Sequence, residues 1–268
     1  MPDPGLGRPG WRRSELPLTQ ILACFFVCLA AVPAVTAGTT GQLVLGQAQL
    51  AAVFMTELAL VLFLVPLLAA TMMASETRGR QAVRFLLPQP EPARRIWAVF
   101  SFPLLTTVGL CLAPALAALL LKAFFGGLPA PAIVAAALAL TPFAVCALAL
   151  GSYSSLVCRD LVSAVALALF ITALVCAGPM WLGPVIDASP DASLLIQPSL
   201  AVNPFVGLAS AIEFDLFRAE PFYQICPIGQ RKFDYPSCWT VASVQLLASL
   251  LLFWRSVVRI RRMAEPSA

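Results

Sequence analysis

Residues 130–186 read APAIVAAALALTPFAVCALALGSYSSLV-CRD-LVSAVALALFITALVCAGPMWLGPVI. Two apolar runs, 130–157 and 161–186, meet at one short polar turn, Cys158-Arg159-Asp160. A hydrocarbon core of ~30 Å is crossed by ~20 apolar residues at 1.5 Å per residue, and each run exceeds that length. Barrel strands would be shorter and would alternate in polarity, so helices are expected. The pair predicts a membrane hairpin with its charged turn in water.

The rest of the chain repeats the pattern. Of 268 residues, 60% are hydrophobic and 11% charged. The mean hydropathy is +0.89. A soluble domain carries about 25% charged residues. Further apolar runs occupy 18–37, 50–74, 96–125 and 237–254. The sequence therefore predicts an all-α polytopic protein with a single six-helix transmembrane domain over 18–254. Short tails at 1–17 and 255–268 flank it. The first run is expected as an uncleaved anchor, although Val35-Thr36-Ala37 has the small residues of a cleavage site.

Arginine sets the orientation. With six spans, thirteen of the 17 basic residues share one side: Arg8, Arg12, Arg13, Arg78, Arg80, Arg84, Arg94, Arg95, Arg159, Arg255, Arg259, Arg261 and Arg262. Lys122, Arg218, Arg231 and Lys232 fall on the other. The positive-inside rule then places both termini and the 75–96 connector in the cytoplasm, in a cell inner or plasma membrane. Trp239 and Trp254 bracket the last run as an aromatic belt would.

The 187–236 loop is expected outside. In it, Asn203 and Pro204 form a cap and first-turn pair, and Phe205, Leu208, Ile212 and Leu216 follow at helical spacing. That predicts an interfacial or re-entrant helix of ~14 residues, too short to span. Cys226 and Cys238 share this loop and are expected to form a disulfide in an oxidising compartment; two unpaired thiols are the alternative. Glu57, in the second run, is the intramembrane polar candidate. Such a group costs ~2.5–3.5 kcal/mol at the bilayer centre on insertion scales. It is read either as an interfacial residue or as one facing a polar pathway.

The chemistry that is missing narrows the function. The chain has no histidine, which excludes histidine-ligated haem and zinc and the Ser-His-Asp triad. No CxxC pair, HExxH, GxSxG or GxxxxGK[ST] occurs. No catalytic residue, metal site or cofactor is indicated. The basic residues sit at helix ends, so nucleic acid is not expected as a partner. Energy for moving a solute would have to come from another chain.

The connector 75–96 carries the remaining signal. Arg80 to Leu87 suits a short amphipathic helix at the inner face, with Val83, Leu86 and Leu87 on one side. Either its arginines anchor to lipid phosphates, or it docks a cytosolic motor. The order Glu76, Arg78, Gly79, then Leu86-Leu87-Pro88-Gln89-Pro90, then Arg94-Arg95-Ile96 resembles the permease subunits of ATP-binding-cassette (ABC) transporters of the six-span export class. The Ser-rich end Gly151-Ser152-Tyr153-Ser154-Ser155 before Arg159, and the outer Asn203-Pro204-Phe205, are similar to that family too. The family's Gly-Thr pair stands here as Gly79-Arg80, and its early third-span lysine is replaced within Val99-Phe100-Ser101. The resemblance implies a homo- or heterodimer of six-span subunits in the bilayer, each resting on a cytosolic ATP-binding subunit. Glu76, Arg78, Gly79, Arg84, Leu86 and Leu87 would then be the coupling candidates, beside the cytoplasmic turn Arg159-Asp160. Alternatives are an assembly or anchor subunit and a lipid-modifying membrane enzyme.

Overall fold

The computed structural model describes residues 47–78, 130–181, 193–218, 228 and 233–264. Among these, all regular structure is helical: α1 (Gln47–Arg78), α2 (Ala130–Val157), α3 (Leu161–Trp181), α4 (Ser193–Val202), α5 (Pro204–Ala211) and α6 (Cys238–Ala264). Four of them, α1, α2, α3 and α6, are long and apolar enough to cross a membrane. The first and third expected runs and the connector beyond Arg78 lie outside the described residues.

The expected boundaries of α2 coincide with the observed ones, because Asp160 ends the turn as the cap of α3. Its Oδ1 accepts from the Ser163 N–H at 2.8 Å, and its carbonyl accepts from Ala164. Ser237 does the same for α6, its Oγ accepting from the Thr240 N–H at 3.1 Å. A short polar side chain that takes up an orphan donor fixes where a helix starts. The helices run further than the apolar runs at three ends, α1 already beginning at Gln47. α1 continues through Glu76 to Arg78, and α6 continues through Arg255, Arg259, Arg261 and Arg262 to Ala264. Arginine is a good helix former, and a helix does not stop where hydropathy stops.

The helices' directions follow from three contacts. Gly207 of α5 lies against both Phe143 of α2 and Val241 of α6. Some distance on, Arg259 of α6 donates from Nε to the Leu156 carbonyl of α2 at 2.7 Å. α2 and α6 therefore run the same way. Pro66 of α1 meets Gly151 of α2, and the buried residues before that point on both helices share one core: Phe54, Leu58 and Val61 with Ile133, Leu140 and Phe143. α1 is thus parallel to α2 as well. α3 returns in the opposite direction, and its end reaches Asn203.

α2 is the central helix, packed on α1, α3, α5 and α6. Its buried face holds Ala136, Ala139, Ala144, Ala147 and Gly151. In lipid the tails are as apolar as leucine, so helices associate through close packing, and small residues permit it. A Cβ on Gly151 would stand 2.7 Å from the Pro66 Cα and nearer still to the Pro66 carbonyl oxygen. Only glycine admits that approach. α3 and α6 turn large apolar side chains outward, including Val162, Phe170, Leu247 and Leu250. Trp239 and Trp254 also project outward, and the Arg255 guanidinium stacks 5.6 Å from the Trp254 ring.

α5 stands where the interfacial or re-entrant helix is expected, and it lies inside the bundle and not on its surface. Its Val206, Gly207, Leu208 and Ala209 are buried among α2, α6 and α1. It also ends at Ala211, short of Leu216. The stop is a Schellman turn: Phe214 N–H bonds to Ala209 O and Glu213 N–H to Ser210 O, with Glu213 at φ 54. α4, which contains Pro198, was not indicated by the sequence pattern. Beside these helices a second small core forms from Ile196, Leu200, Val206, Phe217 and Ile228, with Phe233 and Tyr235 against it.

Candidate functional site

Glu57 lies ten residues into α1, about 15 Å along the helix axis from its start. It is fully buried, and neither Oε1 nor Oε2 has a hydrogen-bond partner. Its helical neighbours Phe54, Leu58 and Val61 are core residues. Of the two readings made from sequence, an interfacial carboxyl would touch water or headgroups, whereas this one is enclosed. Glu57 is thus a buried acid without a hydrogen-bond partner, beside apolar neighbours on its own helix, where an unpartnered polar group costs several kcal/mol (of order 2–7 by transfer from water). Ser154, near the other end of α2, has a buried Oγ that is likewise unpartnered.

Around this core, three long-range side chains tie helix ends together. Asn203 is buried and makes four hydrogen bonds. Its Oδ1 accepts from Phe205 N–H at 2.9 Å and Val206 N–H at 3.4 Å, capping α5. Its Nδ2 donates to the Val175 carbonyl at 3.3 Å and the Cys176 carbonyl at 2.8 Å, in α3. The reason is Pro179. A proline inside a helix has no N–H for the carbonyl four residues earlier, here Val175. Asn203 supplies the missing donor. Gln245 of α6 donates from Nε2 to the Val202 carbonyl at the end of α4, at 2.6 Å. Arg259 serves the last turn of α2 in the same manner, through Leu156. The cap at Asn203-Pro204 was legible locally. The bonds to α3 and the roles of Gln245 and Arg259 carried no local signal.

The two ends of the bundle differ in charge. Arg159, Arg259, Arg261 and Arg262 are exposed at the end where α2 meets α3 and α6 stops. The backbone of Glu76 and Arg78 ends α1 toward the same side. At the opposite end, Tyr235 donates its hydroxyl proton to Asp215 Oδ1 at 2.6 Å and accepts from Phe217 N–H at 3.1 Å. Arg218 pairs with Asp215 at 3.3 Å, and the Phe217, Phe233 and Tyr235 rings pack at centroid distances of 5.1–6.1 Å. Burial, reinforced by the Asp215 hydrogen bond, pushes the Tyr235 phenol above its usual value.

Of the other residues singled out from sequence, Gly79, Arg84, Leu86, Leu87 and Cys226 lie outside the described residues. Cys238 opens α6, partly buried and with a free thiol, so the expected disulfide is not seen at its described end, and Cys226 lies outside the described residues. Arg159 and Asp160 form the turn between α2 and α3, Asp160 as the α3 cap. Among the described residues, no group of three or more Cys, Asp or Glu side chains is placed to hold a metal ion. Comparison of the chain with protein-family models, with curated proteins and with solved structures finds no match.

Proposed function

We propose that this chain is a membrane-spanning permease subunit of an ABC transporter. It would pair with a second permease subunit and move its solute with ATP hydrolysed by a separate cytosolic subunit. The observation that carries the reading is the arrangement of the described helix ends. α1, carrying Glu76 and Arg78, stops on the same side as the arginines of α6 and the Arg159 turn. A basic end of that kind faces the cytoplasm by the positive-inside rule. The connector that resembles the family's motor-docking segment leaves from that end.

Chain direction supports one further crossing between α1 and α2, beyond the four long helices. α1 and α2 are parallel, so Arg78 and Ala130 sit at opposite ends of the bundle. Residues 79–129 must join those ends, and the apolar run 96–125 is long enough to do so across the bilayer. α1 also supplies a mechanical link. It runs unbroken from Glu57 to Arg78, about 30 Å, with Pro66 seated on Gly151 between them. A push on the Arg78 end by a closing motor would tilt this rod against α2 and change access along the bundle.

The test is purification of the tagged chain, at native expression and in mild detergent, followed by mass spectrometry. A copurified subunit carrying a phosphate loop is expected, and the double charge reversal Glu76→Lys with Arg84→Glu should release it. A chain that purifies without any ATPase under conditions that keep its helices folded refutes the proposal.

A further inference from the structure

Among the described residues, Glu57 is the ionisable side chain that is fully buried with no hydrogen-bond partner. The elements packed against α1 are α2, α3 and α5. Their titratable side chains are Cys146 and Tyr153 on α2 and Cys176 on α3, with none on α5. On α1 itself, Glu76 and Arg78 are about 30 Å further along. Arg159 and the α6 arginines sit at the basic end. No cation among the described residues reaches the carboxyl.

Three occupants could satisfy a carboxyl so placed. No basic residue of α2, α3 or α5 is available, and Arg78 of α1 is about 30 Å away. A metal ion needs several oxygen, nitrogen or sulfur ligands, and the described residues gather no such group. A proton needs one carboxyl oxygen and no cavity.

We propose that Glu57 is a proton-binding site, closed over by the α1–α2 core while it holds its proton and emptied to water when that core opens. On opening, the Oε–H bond breaks heterolytically; the carboxylate keeps the electron pair and a water molecule takes the proton. The charged form then favours the arrangement in which water reaches it, and the neutral form favours the closed one. Proton binding is thereby linked to helix separation. The contact that must loosen is the Pro66–Gly151 approach, nine residues from Glu57. The inference rests on the enclosure of Glu57 and not on the ATPase.

The experiment is an infrared difference spectrum, wild type minus E57Q, of the full chain in phospholipid vesicles at neutral pH. The expected result is the carbonyl stretch of a neutral carboxylic acid, lost in E57Q. A pair of carboxylate bands in its place overturns the proposal. Should E57Q not accumulate, the wild-type chain alone is decisive under dicyclohexylcarbodiimide, which adds to protonated carboxyls in apolar surroundings. A peptide map with the adduct on Glu57 supports the site, and an unmodified Glu57 counts against it.

Discussion

Replacing Asn203 removes two separable contributions. Asn203→Ala deletes the α5 cap, in which Oδ1 serves the Phe205 and Val206 N–H groups. Loss of an N-cap costs about 1 kcal/mol. The same change strips the Val175 carbonyl of its donor, and Pro179 leaves that carbonyl no N–H of its own helix to fall back on. Interhelical hydrogen bonds in membrane proteins average ~0.6 kcal/mol, and a buried acceptor left unpaired costs ~1–3 kcal/mol. The total is about 2 kcal/mol, up to thirtyfold in the folding equilibrium. Asn203→Ser separates the two parts. Serine retains a capping oxygen but has no second donor to reach α3, so it should lose only about 1 kcal/mol. The assay is unfolding of the purified chain in micelles by a denaturing detergent, followed by circular dichroism. The expected order of stability is wild type, then serine, then alanine. Serine and alanine equal to one another would mean that the cap is not formed. Both equal to wild type would refute the whole account of Asn203 as the tie between α3 and α5.

Other consequences follow from single contacts. Gly151→Ala forces a methyl against the Pro66 backbone, which must move most of an ångström; a loss of about 1–3 kcal/mol is expected by the same unfolding assay, and unchanged stability would deny the close approach of α1 and α2. Glu213→Gly relieves a left-handed residue at the end of α5 and should add about 1 kcal/mol, read as a higher unfolding midpoint. Tyr235 gives a pH dependence. Its phenol is raised above the ordinary value of 10.0, so its contribution is complete below pH 10 and is lost as pH rises through the folded-state value. Alkaline titration should show one tyrosine ionising late, together with loosening of the Phe217–Phe233 packing, and Tyr235→Phe should remove that late step.

Local chemistry by itself indicated the four long apolar helices among the described residues. Hydrocarbon thickness demands long uncharged runs, and a turn such as Cys158-Arg159-Asp160 has to lie where water is, so both ends of α2 and the start of α3 were legible. The α5 cap was legible for the same reason, since Asn203 serves N–H groups two and three residues away. Hydropathy gave no reason to carry α6 through its arginines, because a helix propagates by backbone hydrogen bonds and not by apolarity. Only the tertiary structure decided the rest. Asn203 meets α3 across 27 residues, Gln245 meets α4 across 43, and Arg259 meets α2 across 103. Such pairings depend on which carbonyl a remote helix brings within about 3 Å, a matter of helix direction and rotation. Glu57 is the same case in reverse: its position in the run was plain, but whether that face of α1 would meet lipid, water or the packed face of α2 depended on how the helices associate.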